Sequence, residues 1–197
     1  MTIGSADPLH VAARVAAALD ALDVAYSIGG SLAGSFAGEP RATLDIDMVV
    51  ALEATHVPAL VRALENDFYI DSDALHRAVT ERSTTNLIHQ RTSIKVDLFI
   101  AGGTPLDEAL LHRRVRLSGQ DLWVHSPEDI LLQKLRWFRR GGEVSDRQWR
   151  DVLGIVRVQG QRLDHEYLTA GALRLQVRDL LERALEEGRP RTSDRQS

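Results

Sequence analysis

The chain has 197 residues, 44% of them hydrophobic and 26% charged. That balance suits one compact globular unit or a domain with a helical extension, and the length is too short for two large domains. It contains no cysteine, and its formal net charge is -4. The first fact excludes a disulfide framework, a thiolate nucleophile and a cysteine-ligated zinc site; the second argues against tight nonspecific binding to duplex nucleic acid. Two arginine clusters, Arg113, Arg114 and Arg116, then Arg136, Arg139 and Arg140, read first as solvated basic faces. The apolar stretch from Val11 to Val24 is interrupted by Arg14, Asp20 and Asp23, and no run of about 18 uncharged apolar residues occurs. Neither a secretory leader nor a membrane span is expected, and the expected location is the cytoplasm.

Asp7 before Pro8 predicts a helix start, with a helix to about Leu22. Val24 to Ile28 reads as a short buried strand that runs into Gly29-Gly30-Ser31, a tight turn before a short helix to about Phe36. From Thr43 to Val50 the sequence alternates, with Leu44, Ile46, Met48 and Val50 on one face and Asp45 and Asp47 on the other. A helix follows over Glu53 to Asn66, regular from Pro58, and a short one over Asp73 to Thr80. Leu87 to His89 and Ser93 to Ile100 read as paired strands, the second placing Asp97 opposite Val96, Leu98 and Ile100. A short helix begins near Pro105, and strands are expected at Arg114 to Leu117 and Leu122 to His125.

Ser126-Pro127-Glu128-Asp129 is a strong helix start, and that helix should run to about Arg140, where Gly141-Gly142 ends it. Ser145 with Gln148 offers a capping box for a helix to about Val158. A last helix over Asp164 to Glu187 precedes a polar tail, Gly188 to Ser197, expected to be disordered. The fold class is therefore α/β (α+β), with a small mixed sheet flanked by helices. The expected division is a mixed core over 1–125, a helical region over 126–187 packed on it, and the tail over 188–197. Trp123, Trp137 and Trp149 read as core or interhelix packing, and the seven histidines as surface or structural residues.

Asp45 and Asp47, two residues apart on a strand, stand roughly 7 Å apart along one face, and Asp97 on a neighbouring strand can complete an acidic trio. Without a cation such a group is unfavourable, because two carboxylates about 4 Å apart repel by about 4 kcal/mol at an effective dielectric near 20. Magnesium reverses that sign, since it takes a few carboxylates together with phosphate oxygens and water. The Gly29-Gly30-Ser31 turn supplies the phosphate side: glycine lets backbone N–H groups approach, Ser31 carries a hydroxyl, and a helix N-terminus follows.

The stretch IGGSLAGSFAGEPRATLDIDMVV resembles the signature of the DNA polymerase beta-like nucleotidyltransferase superfamily: Gly-Gly-Ser, a spacer, then Asp-hydrophobic-Asp. Thirteen residues, Leu32 to Leu44, separate Ser31 from Asp45, and SIKVDLFI looks like the strand that carries the third carboxylate. The whole chain, through HSPEDILLQKLRWFRRGGEVSDRQWRDVLGIVRVQG, is similar to the AbiEii/AbiGii nucleotidyltransferase toxins of type IV toxin–antitoxin systems. The resemblance implies that Gly29, Gly30 and Ser31 hold the triphosphate of an NTP such as ATP, and that Asp45 and Asp47 ligate two magnesium ions. Asp97 would ligate one of them and align or deprotonate the acceptor hydroxyl. It further implies phosphate contacts from Arg41 and nucleotide contacts from Lys134 and Asp151, although the downstream segment reads RDVLGI rather than a lysine-aspartate pair. The implied reaction moves NMP from NTP to an acceptor, tRNA or protein, in a toxin with a cognate antitoxin. Two other readings stay open: a non-catalytic nucleotide-binding regulator or antitoxin-like partner, and a glycosyltransferase using Asp-x-Asp, which usually needs a larger nucleotide-binding domain.

Overall fold

The computed structural model describes residues 7–39, 43–102 and 104–189. They fall into two compact units: the described residues of Met1–Ala33 with Arg41–His125, and those of Gly34–Pro40 with Ser126–Ser197. The first unit opens with α1 (Pro8–Asp20), started where Asp7 Oδ1 accepts the Leu9 N–H at 3.0 Å. It continues through β1 (Tyr26–Ile28), the start of α2 (Gly30–Ala37), β2 (Asp45–Val50), a 3-10 turn, α3 (Val57–Leu64) and β3 (Phe68–Tyr69). Then come α4 (Ser72–Glu81), β4 (Thr84–His89), β5 (Lys95–Ile100), α5 (Pro105–His112), β6 (Val115–Arg116) and β7 (Trp123–Val124). The strands form one sheet in the order β3-β4-β5-β2-β1-β7-β6. β2 runs parallel to β5 and β1 to β7, and every other pairing is antiparallel.

The two faces of this sheet differ sharply. Ile46, Met48, Val50, Leu87, Val96, Leu98 and Ile100 are at most 4% exposed and point to the side where α1 packs on β2 and α4 on β4, with α3 against both helices. Burying each such side chain contributes about 1.5–3 kcal/mol, so this face fixes the sheet. The alternate residues Asp45, Asp47, Lys95, Asp97 and Phe99 occupy the opposite face and keep access to solvent. Helix α5 closes the far end of that face, where Leu110 packs on Val49 and Ala101.

The second unit is helical: α6 (Pro127–Arg140), α7 (Asp146–Gln159), α8 (His165–Arg174) and α9 (Arg178–Glu187). Leu131, Leu135, Val152, Ile155, Leu168 and Leu181 meet in its core. Two buried carboxylates are fully engaged there: Glu128 accepts the Asp164 N–H at 2.9 Å, and Asp129 accepts the Tyr167 and Ser126 hydroxyls at 2.6 Å each. Such partners offset the desolvation of both acids. Residues 34–40 belong with these helices, since Gln159 Nε2 donates to the Ala37 carbonyl at 2.6 Å and Gly38 lies against the Ile155 backbone.

The observed elements depart from the sequence reading at several places. The helix expected over Asp164 to Glu187 is two helices, because Gln176 adopts φ 57°, the left-handed region. The Val177 N–H turns back to the Ala172 carbonyl at 2.9 Å and the Val177 side chain is fully buried, a left-handed helix stop with a hydrophobic anchor. Strand β3, only two residues long, went unforeseen; β4 starts earlier than expected, at Thr84, while β2 starts later, at Asp45. Trp137 is 57% exposed under Arg140 rather than packed in the interior. The Ser145 and Gln148 box is half made: Ser145 Oγ caps the Gln148 N–H at 3.3 Å, while Gln148 Oε1 has no partner. Of the expected tail, Gly188 ends α9 and the part from 190 onward lies outside the described residues. No helix among the described residues is long and apolar enough to cross a membrane.

Gln176→Gly should stabilise the protein by about 0.5–1 kcal/mol, because glycine adopts the left-handed region without a Cβ clash. Urea unfolding at neutral pH measures the change, and a loss of stability would mean that the Gln176 side chain makes a contact outweighing its backbone strain.

Candidate active site

The parallel register of β2 and β5 brings two of the three aspartates together: Asp47 is the cross-strand partner of Asp97, and Asp45 that of Lys95. Neighbouring strands lie about 4.8 Å apart, so Asp47 and Asp97 start from adjacent backbone positions on one face. Asp45 sits two residues earlier on that face, exposed, while Asp47 and Asp97 are half-buried. The antiparallel neighbour β4 sets Asn86 opposite Asp97 on its other side.

The glycine turn is held against this strip from two directions. The Gly29 N–H donates to the Asp47 carbonyl at 2.8 Å, extending the β1–β2 ladder and committing that amide to the sheet. Gly30 has φ 59°, and a Cβ on it would lie 1.8 Å from Asp47 Oδ2, so the carboxylate rests directly on the Gly30 backbone. On the opposite side a Cβ at Gly29 would lie 2.5 Å from His125 Nε2. His125 is buried, its backbone N–H donates to the Ile28 carbonyl at 2.8 Å, and its ring Nδ1 shares a hydrogen bond with buried Ser27 Oγ at 2.7 Å. Burial lowers the imidazole pKa from 6.5 to about 4, so at neutral pH the ring is an uncharged wedge behind the turn. Ser31 occupies the first turn of α2, next to Gly30.

Asp97 has an intimate partner that the sequence reading passed over. Lys95 Nζ lies 2.8 Å from Asp97 Oδ2, and the lysine pKa is raised by that hydrogen bond first, then by the charge of Asp97, with Asp45 and Asp47 adding to it. Among the described residues, no three histidine, aspartate or glutamate side chains converge tightly enough to hold a metal. The reason is visible in the strip: the backbone aligns the acids, while Asp97 is turned onto Lys95 and Asp47 onto Gly30. The period-two pattern carried a signal for Lys95, two residues before Asp97 and therefore on its face. Nothing in the local pattern marked Ser27 or His125.

Within the helical unit, Lys134 and Asp151 come together at 2.8 Å, and the Lys134 stem passes close to Gly34. Arg41 lies outside the described residues.

No protein-family model matches the chain, and no curated protein matches its sequence. Its fold does match solved structures. An antigenic nucleotidyltransferase-like protein from Paracoccidioides brasiliensis superposes with a TM-score of 0.55 and 22% identity, over 90% of this chain and 91% of that one. The antibiotic-resistance factor ANT(2'')-Ia superposes with a TM-score of 0.52 and 14% identity, over 89% of this chain and 95% of that one. Its complex with adenylyl-2''-tobramycin gives 0.54 and 13%, over 87% and 98%. At such identities the likeness speaks to architecture, and the mixed sheet with its flanking helices is the nucleotidyltransferase fold.

Two outcomes follow from the pinned turn. Gly30→Ala should cost at least about 1–2 kcal/mol, since the new methyl group is strained at positive φ and must also displace the Asp47 carboxylate; urea unfolding reads the loss. For His125 the unfolded chain holds an extra proton between its ordinary pKa of 6.5 and the folded value of about 4. Stability linked to the neutral ring is therefore complete above pH 6.5 and is lost as pH falls toward 4, by up to about 3 kcal/mol. Denaturation at several pH values should show this slope in the unmodified protein and a shallower one in His125→Asn; equal slopes would mean that His125 titrates normally.

Proposed function

We propose that the protein is a magnesium-dependent nucleotidyltransferase that moves NMP from an NTP to an acceptor hydroxyl. The observation that carries this reading is the β2–β5 register, which sets Asp47 beside Asp97 on the face where Asp47 also touches Gly30 of the glycine turn. The fold of the chain supports it. The donor set suits magnesium: all oxygen, on paired strands, and already attracting one cation, the Lys95 ammonium. Asp45, Asp47 and Asp97 would hold two magnesium ions once Asp97 turns from Lys95, and those ions, when bound, neutralise charge on the triphosphate and the departing pyrophosphate.

The chain's own groups have separable tasks in that reaction. Gly30, lacking a Cβ, lets the triphosphate approach the backbone beside Asp47, and Ser31 offers a hydroxyl to the phosphate oxygens. Asp97 orients the acceptor hydroxyl and takes its proton as the acceptor oxygen bonds to the α-phosphorus. The bond to the bridging oxygen breaks in line, and pyrophosphate leaves. The buried, neutral His125 keeps the Gly29 backbone from shifting as charge accumulates in front of it.

The likeness of the sequence to AbiEii/AbiGii-type proteins supports a narrower form: a cytoplasmic toxin of a type IV system, modifying tRNA or a protein and countered by an antitoxin. The second reading, a nucleotide-binding regulator without transfer, is favoured by one observation: no three acidic side chains converge among the described residues. Incubation with α-labelled NTPs, magnesium and cell extract separates the two. Transfer predicts label on RNA or on protein that falls by about a hundredfold or more in Asp45→Ala/Asp47→Ala. NTP binding with no labelled acceptor from any nucleotide would overturn the enzyme reading in favour of the regulator.

A further inference from the structure

The acidic strip contains a charge that the proposed reaction does not use. Lys95 lies on the same strand face as Asp97, is the cross-strand partner of Asp45, and contacts Asp97 Oδ2 at 2.8 Å. Its side chain is 44% exposed while that of Asp97 is 19% exposed. A pair this open on the lysine side contributes little to stability, because solvent screens it and ordering the four-carbon stem costs entropy. Its effect falls on the carboxylate instead. The ammonium occupies an oxygen that a divalent ion would need, and Asp45 and Asp47 add to its attraction.

We infer that Lys95 is a resident counter-cation of the acidic strip: a tethered ammonium that holds Asp97 in place when no divalent ion is present and competes with that ion for Asp97. Three aspartates share this face with one lysine, a balance that favours a divalent ion over the single ammonium. An ammonium suits the exchange, since it is a compact point charge on a flexible stem without the planar fork that locks arginine onto carboxylate. Binding of the ion then requires Lys95 to leave Asp97, so the lysine sets how much divalent ion the strip needs. This inference rests on the metal-binding reading of the strip and extends it to a residue outside the ligand set.

The test is direct titration of the full chain with Mn2+, in the absence of nucleotide, by the electron paramagnetic resonance signal of free Mn2+. Lys95→Met should bind Mn2+ about tenfold tighter than the unmodified protein, and Lys95→Gln should do the same if the methionine variant folds poorly. Arg91→Met, which removes an equal charge on the β4–β5 turn, should leave the affinity unchanged. Asp97→Asn should weaken binding and erase most of the gain from Lys95→Met. Circular dichroism without Mn2+ checks that each variant is folded. If Asp45→Asn and Asp97→Asn abolish Mn2+ binding while both Lys95 variants bind as the unmodified protein does, the strip is a metal site and Lys95 is not its competitor. If neither the unmodified protein nor the Lys95 variants bind Mn2+, the metal reading fails and takes this inference with it.

Discussion

The parallel pairing of β2 with β5 is the constraint from which the candidate site follows. Because side chains alternate along a strand, a slip of one residue would turn Asp45 and Asp47 into the interior and bring Ile46, Met48 and Val50 to the surface. The apolar residues of β2, β4 and β5 forbid that slip. At about 1.5–3 kcal/mol each they contribute on the order of 10 kcal/mol or more together, whereas two carboxylates about 4 Å apart repel by about 4 kcal/mol at an effective dielectric near 20. The hydrophobic face therefore wins, and it holds three like charges on one side of the sheet that would otherwise separate. The acidity of the strip is sustained by burial on the reverse face.

The glycine turn depends on the same pairing. Asp47 serves β5 through its register, Gly29 through its carbonyl and Gly30 through its carboxylate, so one residue couples the acid strip to the glycine turn. His125 closes the other side without introducing charge, since its burial keeps it neutral. A protonated imidazole there would attract phosphate but would demand solvation that the interior cannot give. The arrangement favours rigidity of the backbone at Gly29 and leaves positive charge to whatever binds in front.

Period-two patterning made the strands around Asp45, Asp47 and Asp97 legible in the sequence, and capping residues located α1, α6 and α7. Pairing was a different matter: that Asp47 faces Asp97 depends on contacts between segments fifty residues apart, which local pattern does not encode. Strand β3 was invisible because two residues cannot display a period. The break at Gln176 was hidden because a non-glycine residue in the left-handed region has no compositional mark, and Leu175 and Val177 continue an apolar rhythm that reads as helix. His125 was unremarkable in isolation; its role exists only because Gly29 has no side chain to keep it away.

Among the described residues two lysine–aspartate pairs have the same length, 2.8 Å, and their surroundings make them different devices. In the helical unit, Lys134 is 16% exposed and Asp151 22%, with the lysine stem confined beside Gly34. Both members are partly desolvated, so separating them costs more than separating an exposed pair, and the contact ties α6 to α7. On the sheet the lysine is the open member, and its departure from Asp97 exposes the ammonium to water that already reaches it. Equal distance thus conceals unequal freedom. A carboxylate that must exchange one cation for another needs a partner of the second kind, and Lys95 gives Asp97 one.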